Sequence, residues 1–144
     1  MRESGQSLFE LLIAVFVVGA VLISLVSLST RSVSNNTYAE NSSEAGRHSQ
    51  KAMEWLRGER DTDWATFVSH GSTGRDIRYC INTLDWNRRR ACADGELLNG
   101  EFQREVVFTV VDPSTKVEVE VLTFWTDPNG RHEAQISSVL TNWK

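Results

Sequence analysis

Hydrophobic and polar positions follow one another along this chain in three regimes. The first runs from Leu11 to Leu28, eighteen residues without a charge, interrupted only by Gly19, Ser24 and Ser27. As a helix rising about 1.5 Å per residue, such a run is roughly 27 Å long, close to the hydrocarbon thickness of a bilayer. The second regime lies between Thr30 and Gly58, with no proline and Gly46 as its one internal glycine. There Tyr38, Ala45, Ala52 and Leu56 recur at helical spacing among Glu40, Glu44, Arg47, Lys51, Glu54 and Arg57. That spacing predicts an amphipathic helix with an apolar stripe facing a second element. Asn35, Asn36, Ser42 and Ser43 are poor helix formers and mark a place for a bend. Gly58 suits a C-cap, so one long helix is expected from about Ser7 to about Arg57.

The third regime changes period from helical to alternating. Ile77 to Ile81 reads as a short strand, and Glu105 to Val111 places Val106, Phe108 and Val110 on one face. Lys116 to Val121 alternates strictly and continues through Phe124 and Trp125, and a last strand is expected from His132 to Leu140. Asp112-Pro-Ser-Thr and Asp127-Pro-Asn-Gly130 carry turn chemistry. The stretch with Trp64, Phe67, Gly71 and Gly74 reads as irregular, and Trp55 and Trp64 are expected in a core. The fold class is α+β, with a long N-terminal helix and a C-terminal antiparallel meander. One face of that sheet can lie on the helix stripe while Glu118 and Glu120 face water, although periodicity yields these pieces and not their arrangement.

Composition narrows the chemistry. A chain of 144 residues with a net charge of −4 suits one modest head domain and lacks the broad basic excess of a nucleic-acid-binding domain. Cys80 and Cys92 read as a disulfide of an oxidising compartment, with free thiols or half of a metal site as alternatives. A metal site needs further ligands, and His48, His70 and His132 are scattered. A bond closing this interval contributes about 3 kcal/mol by the chain-entropy model. The interval also holds Trp86 and Arg88, Arg89 and Arg90, residue types that suit base stacking and phosphate contact. The alternative is a solvated surface loop in a net acidic chain. No catalytic triad, Gly-rich phosphate loop or metal spacing appears, so no catalytic residue, metal or cofactor is assigned. Asp61 and Asp63 suit a cap or a solvated turn. Asn35-Asn-Thr37 and Asn41-Ser-Ser43 match glycosylation acceptors, patterns too common to carry weight.

The apolar run admits three readings: a cleaved secretory signal, an ordinary membrane anchor, or a processed filament subunit. The run exceeds the roughly 7–15 residues of a secretory signal and leaves through Ser27-Leu28-Ser29-Thr30-Arg31, a poor cleavage site. The preceding Met1-Arg-Glu-Ser-Gly5 carries one base and one acid, and Glu10 stands one residue before the run. An acid within a membrane segment is costly, less so near its edge, and marks a functional position, with a place in the headgroup layer of an ordinary anchor as the alternative.

The stretch Gly5-Gln-Ser-Leu-Phe-Glu10-Leu-Leu-Ile-Ala-Val-Phe resembles the processing motif of type IV prepilins. The resemblance implies that a prepilin peptidase cuts after Gly5 and that Gln6 becomes the N-methylated terminus. Glu10 is then the fifth mature residue, pairing with the terminal amine of a neighbouring subunit as the filament grows. In that low-dielectric setting opposite charges attract far more strongly than in water. The organisation it implies is a leader at 1–5, a transmembrane helix at 6–30, an amphipathic helix at 31–58 and a globular β-rich head at 59–144. Its partners are the peptidase, other pilin subunits, an inner-membrane assembly platform and, before assembly, membrane lipid. Nucleic acid is a minor alternative through the arginine loop. Two departures, Gln6 where the family usually has Phe and the lack of proline in the run, point to a minor pilin or pseudopilin. The expected location is the cytoplasmic membrane with the head outside the cytoplasm, then a filament.

Overall fold

The computed structural model describes residues 4–143, with side chains from Leu8 onward. The chain forms two compact units, Met1–Ala39 and Glu40–Lys144. Helix α1 (Ser4–Thr62) contributes to both. It is followed by α2 (Trp64–Ser69) and four strands, β1 (Asp76–Cys80), β2 (Gln103–Asp112), β3 (Lys116–Asp127) and β4 (Gly130–Thr141).

In the first unit the apolar side chains surround the helix on all sides. Leu8, Leu12, Val15, Phe16, Ile23, Val26 and Leu28 are all exposed, and the helix is long and apolar enough to cross a membrane. A helix that is hydrophobic all round needs an apolar surrounding rather than water. Three of its hydroxyls bond within the helix: Ser24 Oγ donates to Ala20 O (2.9 Å), Thr30 Oγ1 to Val26 O (3.0 Å) and Thr37 Oγ1 to Val33 O (3.2 Å). These bonds back to the preceding turn let polar residues stay in an apolar run without exposing a donor.

In the second unit the strands form one antiparallel sheet in the order β1-β2-β3-β4, a meander. Alternation builds it. Val106, Phe108 and Val110 of β2 and Val117, Val119 and Val121 of β3 are all buried, and they meet Ala52, Met53 and Leu56 of α1 in one core. Glu118 faces water and Glu120 is half-buried. Ala45 belongs to a second cluster with Phe102 and Trp125. The buried stripe of the helix is therefore Asn41, Ala45, Ser49, Ala52, Met53 and Leu56. Two of its members are polar. Ser49 Oγ lies 2.7 Å from Thr123 Oγ1, so the buried hydroxyls satisfy each other where sheet meets helix. Tyr38, expected at the start of the stripe, is exposed and lies in the first unit.

Three expectations are corrected. Asn35, Asn36, Ser42 and Ser43 are all helical, since their neighbours supply enough helix formers to carry them. The helix passes through Gly58 and ends at Thr62 rather than near Arg57. Thr62 Oγ1 donates to Gly58 O (2.8 Å), closing the last turn. Trp64 and Phe67, expected in an irregular stretch, lie in α2. Asp63 caps that helix: its carboxylate accepts from Thr66 Oγ1 (2.6 Å), Thr66 N (3.2 Å) and Ala65 N (2.9 Å), and these bonds, the hydroxyl's first, hold its pKa below the ordinary range. Past α2, Gly71 packs so closely that a Cβ there would stand 2.5 Å from Val110 Cγ2 and 2.7 Å from Phe108 Cδ1.

Leu56 is fully buried at the centre of the helix–sheet seam. Leu56→Ala is expected to destabilise the head by about 2–5 kcal/mol. Denaturant unfolding of the full chain in detergent, followed by tryptophan fluorescence, measures it.

Candidate functional site

The expected processing residues Gly5 and Gln6 lie in the first turns of α1. Residues 1–3 of the expected leader, and the side chains of Gly5 and Gln6, lie outside the described residues. Glu10 is exposed on the helix surface between Phe9 and Leu11, both also exposed. A carboxylate in that apolar collar gains stability from a partner that brings a positive charge to it.

The second set of predicted residues lies in the loop between β1 and β2. Cys80 and Cys92 are bonded, joining the end of β1 to the loop that returns to β2. The loop is tied to the strands at several points, while many of its side chains, Arg89 and Arg90 among them, stay exposed. Cys92 N donates to Glu105 Oε1 (2.8 Å), and the other oxygen of Glu105 accepts from Arg78 Nη1 (2.7 Å). Glu105 is thereby paired although only 2% exposed. Asn82 bridges loop and strand: its Nδ2 donates to Glu96 O (2.7 Å), and its Oδ1 accepts from Arg104 N (2.8 Å).

The arginine run does not form an open cationic patch. Arg90 donates two parallel bonds to Glu96, at 2.8 and 2.7 Å, and Arg88 Nε stands 3.7 Å from the same carboxylate. The Arg90 bonds, with Ala93 N at 2.7 Å, pull the Glu96 pKa down to about 2. Arg89 is exposed. Trp86 packs into the aromatic cluster of the core. Its ring stacks on His70 at 4.2 Å and lies 4.9 Å from Trp55 and 5.1 Å from Tyr79. Its Nε1 donates to Glu59 Oε2 (2.9 Å). The indole and the arginines thus serve different neighbours, and the loop brings no aromatic face and guanidinium trio together.

Arg104 is the residue that sequence reasoning missed. It is 2% exposed and donates to Ile81 O from Nε (3.2 Å) and Nη2 (3.0 Å), to Asn82 O (3.0 Å) and to His48 O (3.0 Å). One guanidinium ties helix, loop and sheet through main-chain carbonyls. Burial pushes its pKa down to about 10, so it stays charged at neutral pH. Burial and the nearby guanidinium also lower the pKa of His48. A signal was present, because Arg104 shares strand parity with Val106, Phe108 and Val110. Among the described residues no group of His, Cys, Asp and Glu is placed to hold a metal ion.

Comparison of the chain with protein-family models, with curated proteins and with solved structures returns no match to any of them.

Two tests follow from this loop. Arg104→Ala, which removes a buried guanidinium and its bonds to the carbonyls of His48, Ile81 and Asn82, is expected to cost about 2–4 kcal/mol in denaturant unfolding. Arg104→Lys should recover only part of it, because an ammonium lacks the planar fork. Glu96 has a folded pKa depressed to about 2, so its contribution is fully present above the usual carboxylate range and is lost as pH falls through about 2. The stability gap between wild type and Glu96→Gln should therefore be widest near neutrality and close on acidification from about pH 4.5 to about pH 2. Unfolding curves across that range measure it.

Proposed function

We propose that this chain is a structural subunit of a type IV pilus or a related secretion or competence filament, of the minor pilin or pseudopilin kind. The observation that supports it most is the order of features along one helix. Gly5 and Glu10 precede an uncharged run exposed on all sides, and the later residues of the same helix carry the seam of an antiparallel sheet. An ordinary anchor has no need of Glu10. In a filament, apolar helices surround one another, and the carboxylate is neutralised by the terminal ammonium that cleavage after Gly5 creates on Gln6.

In this reading the subunit waits in the cytoplasmic membrane with its head outside the cytoplasm. A prepilin peptidase processes it, an inner-membrane assembly platform raises it into the filament, and its helix joins those of other subunits. The oxidised Cys80–Cys92 pair is in keeping with a head outside the reducing cytoplasm. A tip that binds DNA or a surface through Trp86 and Arg88 to Arg90 gains little from the loop, where Trp86 is packed and Arg88 and Arg90 face Glu96.

Mass analysis of the chain from membranes of cells that contain a prepilin peptidase should find a form shortened by five residues and beginning at Gln6. Finding full-length chain alone would sink the reading.

A further inference from the structure

Strand β4 ends the sheet, paired with β3 on one side only. Its register runs from Lys116↔Thr141 to Asp127↔Gly130 without a bulge. Asn142 N donates to Thr115 O (3.0 Å), one step beyond that register, so the 115/142 pair is hydrogen-bonded. Antiparallel pairs alternate between bonded and non-bonded. The pairs holding Leu140, Ser138, Ile136, Ala134 and His132 therefore bond to β3. Those holding Thr141, Val139, Ser137, Gln135, Glu133 and Arg131 turn their N–H and C=O groups outward. Among the described residues, none of those outward groups makes a backbone hydrogen bond beyond the sheet.

Edge strands of soluble heads are normally blunted by lysine, proline, a bulge or shortness. This edge has none of these. It is twelve residues long, roughly 40 Å at about 3.4 Å per residue. Its stretch Gln135-Ile-Ser-Ser-Val-Leu-Thr141 has no charge, no proline and no glycine. Uncharged, β-branched and extended, it has the composition that accepts another strand.

From this geometry we infer that β4 is a docking edge for an extended segment of a different polypeptide, added antiparallel to Gln135–Thr141. The segment would be uncharged and alternating. Its apolar row falls beside Ile136 and Leu140 on the helix side, and its polar row beside Gln135, Ser137 and Val139 on the outer face. A second copy of this chain fits poorly. Antiparallel β4–β4 pairing needs a two-fold axis perpendicular to the sheet. That axis reverses every direction in the sheet plane, including the helix lying on it, so residue 40 would leave the two heads in opposite directions. Parallel self-pairing would set the apolar row of one copy on the polar face of the other. The opposite edge, β1, offers outward groups only at Asp76 and Arg78, because Cys80 N is already bonded to Arg88 O (3.0 Å). The choice of another polypeptide over a second copy rests on the membrane-anchored reading. The open edge does not.

Hydrogen exchange on the full chain in detergent tests the edge first. The amides of Glu133, Gln135, Ser137 and Val139 should exchange at least tenfold faster than those of Ala134, Ile136, Ser138 and Leu140. A synthetic peptide of alternating valine and threonine, with lysines only at its ends, should slow the fast set at least tenfold and leave the slow set unchanged. Ser137→Pro removes an outward N–H without touching the β3 ladder, so it should fold and lose peptide protection. Equal protection of both sets in dilute free chain, or peptide binding that ignores Ser137→Pro, would overturn the docking edge. Protection of the fast set that rises with the concentration of the chain alone would overturn the choice of a different polypeptide. None of these outcomes depends on cleavage after Gly5.

Discussion

The head depends on the seam between one face of helix α1 and the inner face of the sheet. Ala52 and Leu56 are fully buried there, with Val106, Phe108, Val117 and Val121 closing on them from β2 and β3, and Ala45 is fully buried beside Phe102 and Trp125. Burying each large side chain of this kind contributes about 1.5–3 kcal/mol. Small residues at 45, 49 and 52 let the sheet approach the helix backbone closely, and Ser49 meets Thr123 there without leaving a hydroxyl unpaired. The seam also constrains the helix, since the stripe that packs on the sheet is unavailable to any other partner. What the helix offers elsewhere is its apolar, exposed first part.

Around the seam, polar groups are held by geometry rather than by solvent. Arg104 bonds to three carbonyls, one on the helix and two at the start of the β1–β2 loop, and Glu105 joins Arg78 to the main chain at Cys92. Removing one partner from such a buried set is costly because the others are left unpaired in low dielectric. The long loop between β1 and β2 therefore behaves as part of the head. It is stapled at Cys80–Cys92 and clasped again through Asn82 and Glu96. The two edges differ accordingly: the loop bonds to β1 at Cys80 N, whereas among the described residues no backbone bond is made to the outward groups of β4.

Local pattern and tertiary placement divide the molecule cleanly. Period-two alternation in Lys116–Val121 and the Asp-Pro turns place β2, β3 and β4 to within about two residues at their ends, because strand faces and tight turns are set by neighbours in sequence. The uncharged run from Leu11 to Leu28 likewise declares its own environment. The helix end was less legible: glycine at 58 weakens a helix without stopping it, and packing of the last turns outweighs that cost of about 1 kcal/mol. Gly5 and Glu10 were readable only as a motif, since neither hydrophobic period nor turn chemistry accounts for a glycine and an acid at that spacing.

The arginine loop shows the opposite limit. Arg88, Arg89 and Arg90 beside Trp86 look like one cationic and aromatic surface along the chain. Glu96 and the aromatic cluster, brought near only by folding, take them apart. Arg104 could be placed on the core face by parity, but its carbonyl partners come from Ile81, Asn82 and His48, distant positions that no local pattern connects. By itself the sequence determined the membrane-length helix, the meander and the cysteine pair, all consequences of hydrophobic period, turn chemistry and residue type. Only the tertiary structure decided which charges are spent inside the head and which strand edge stays open, because both depend on what folding brings alongside.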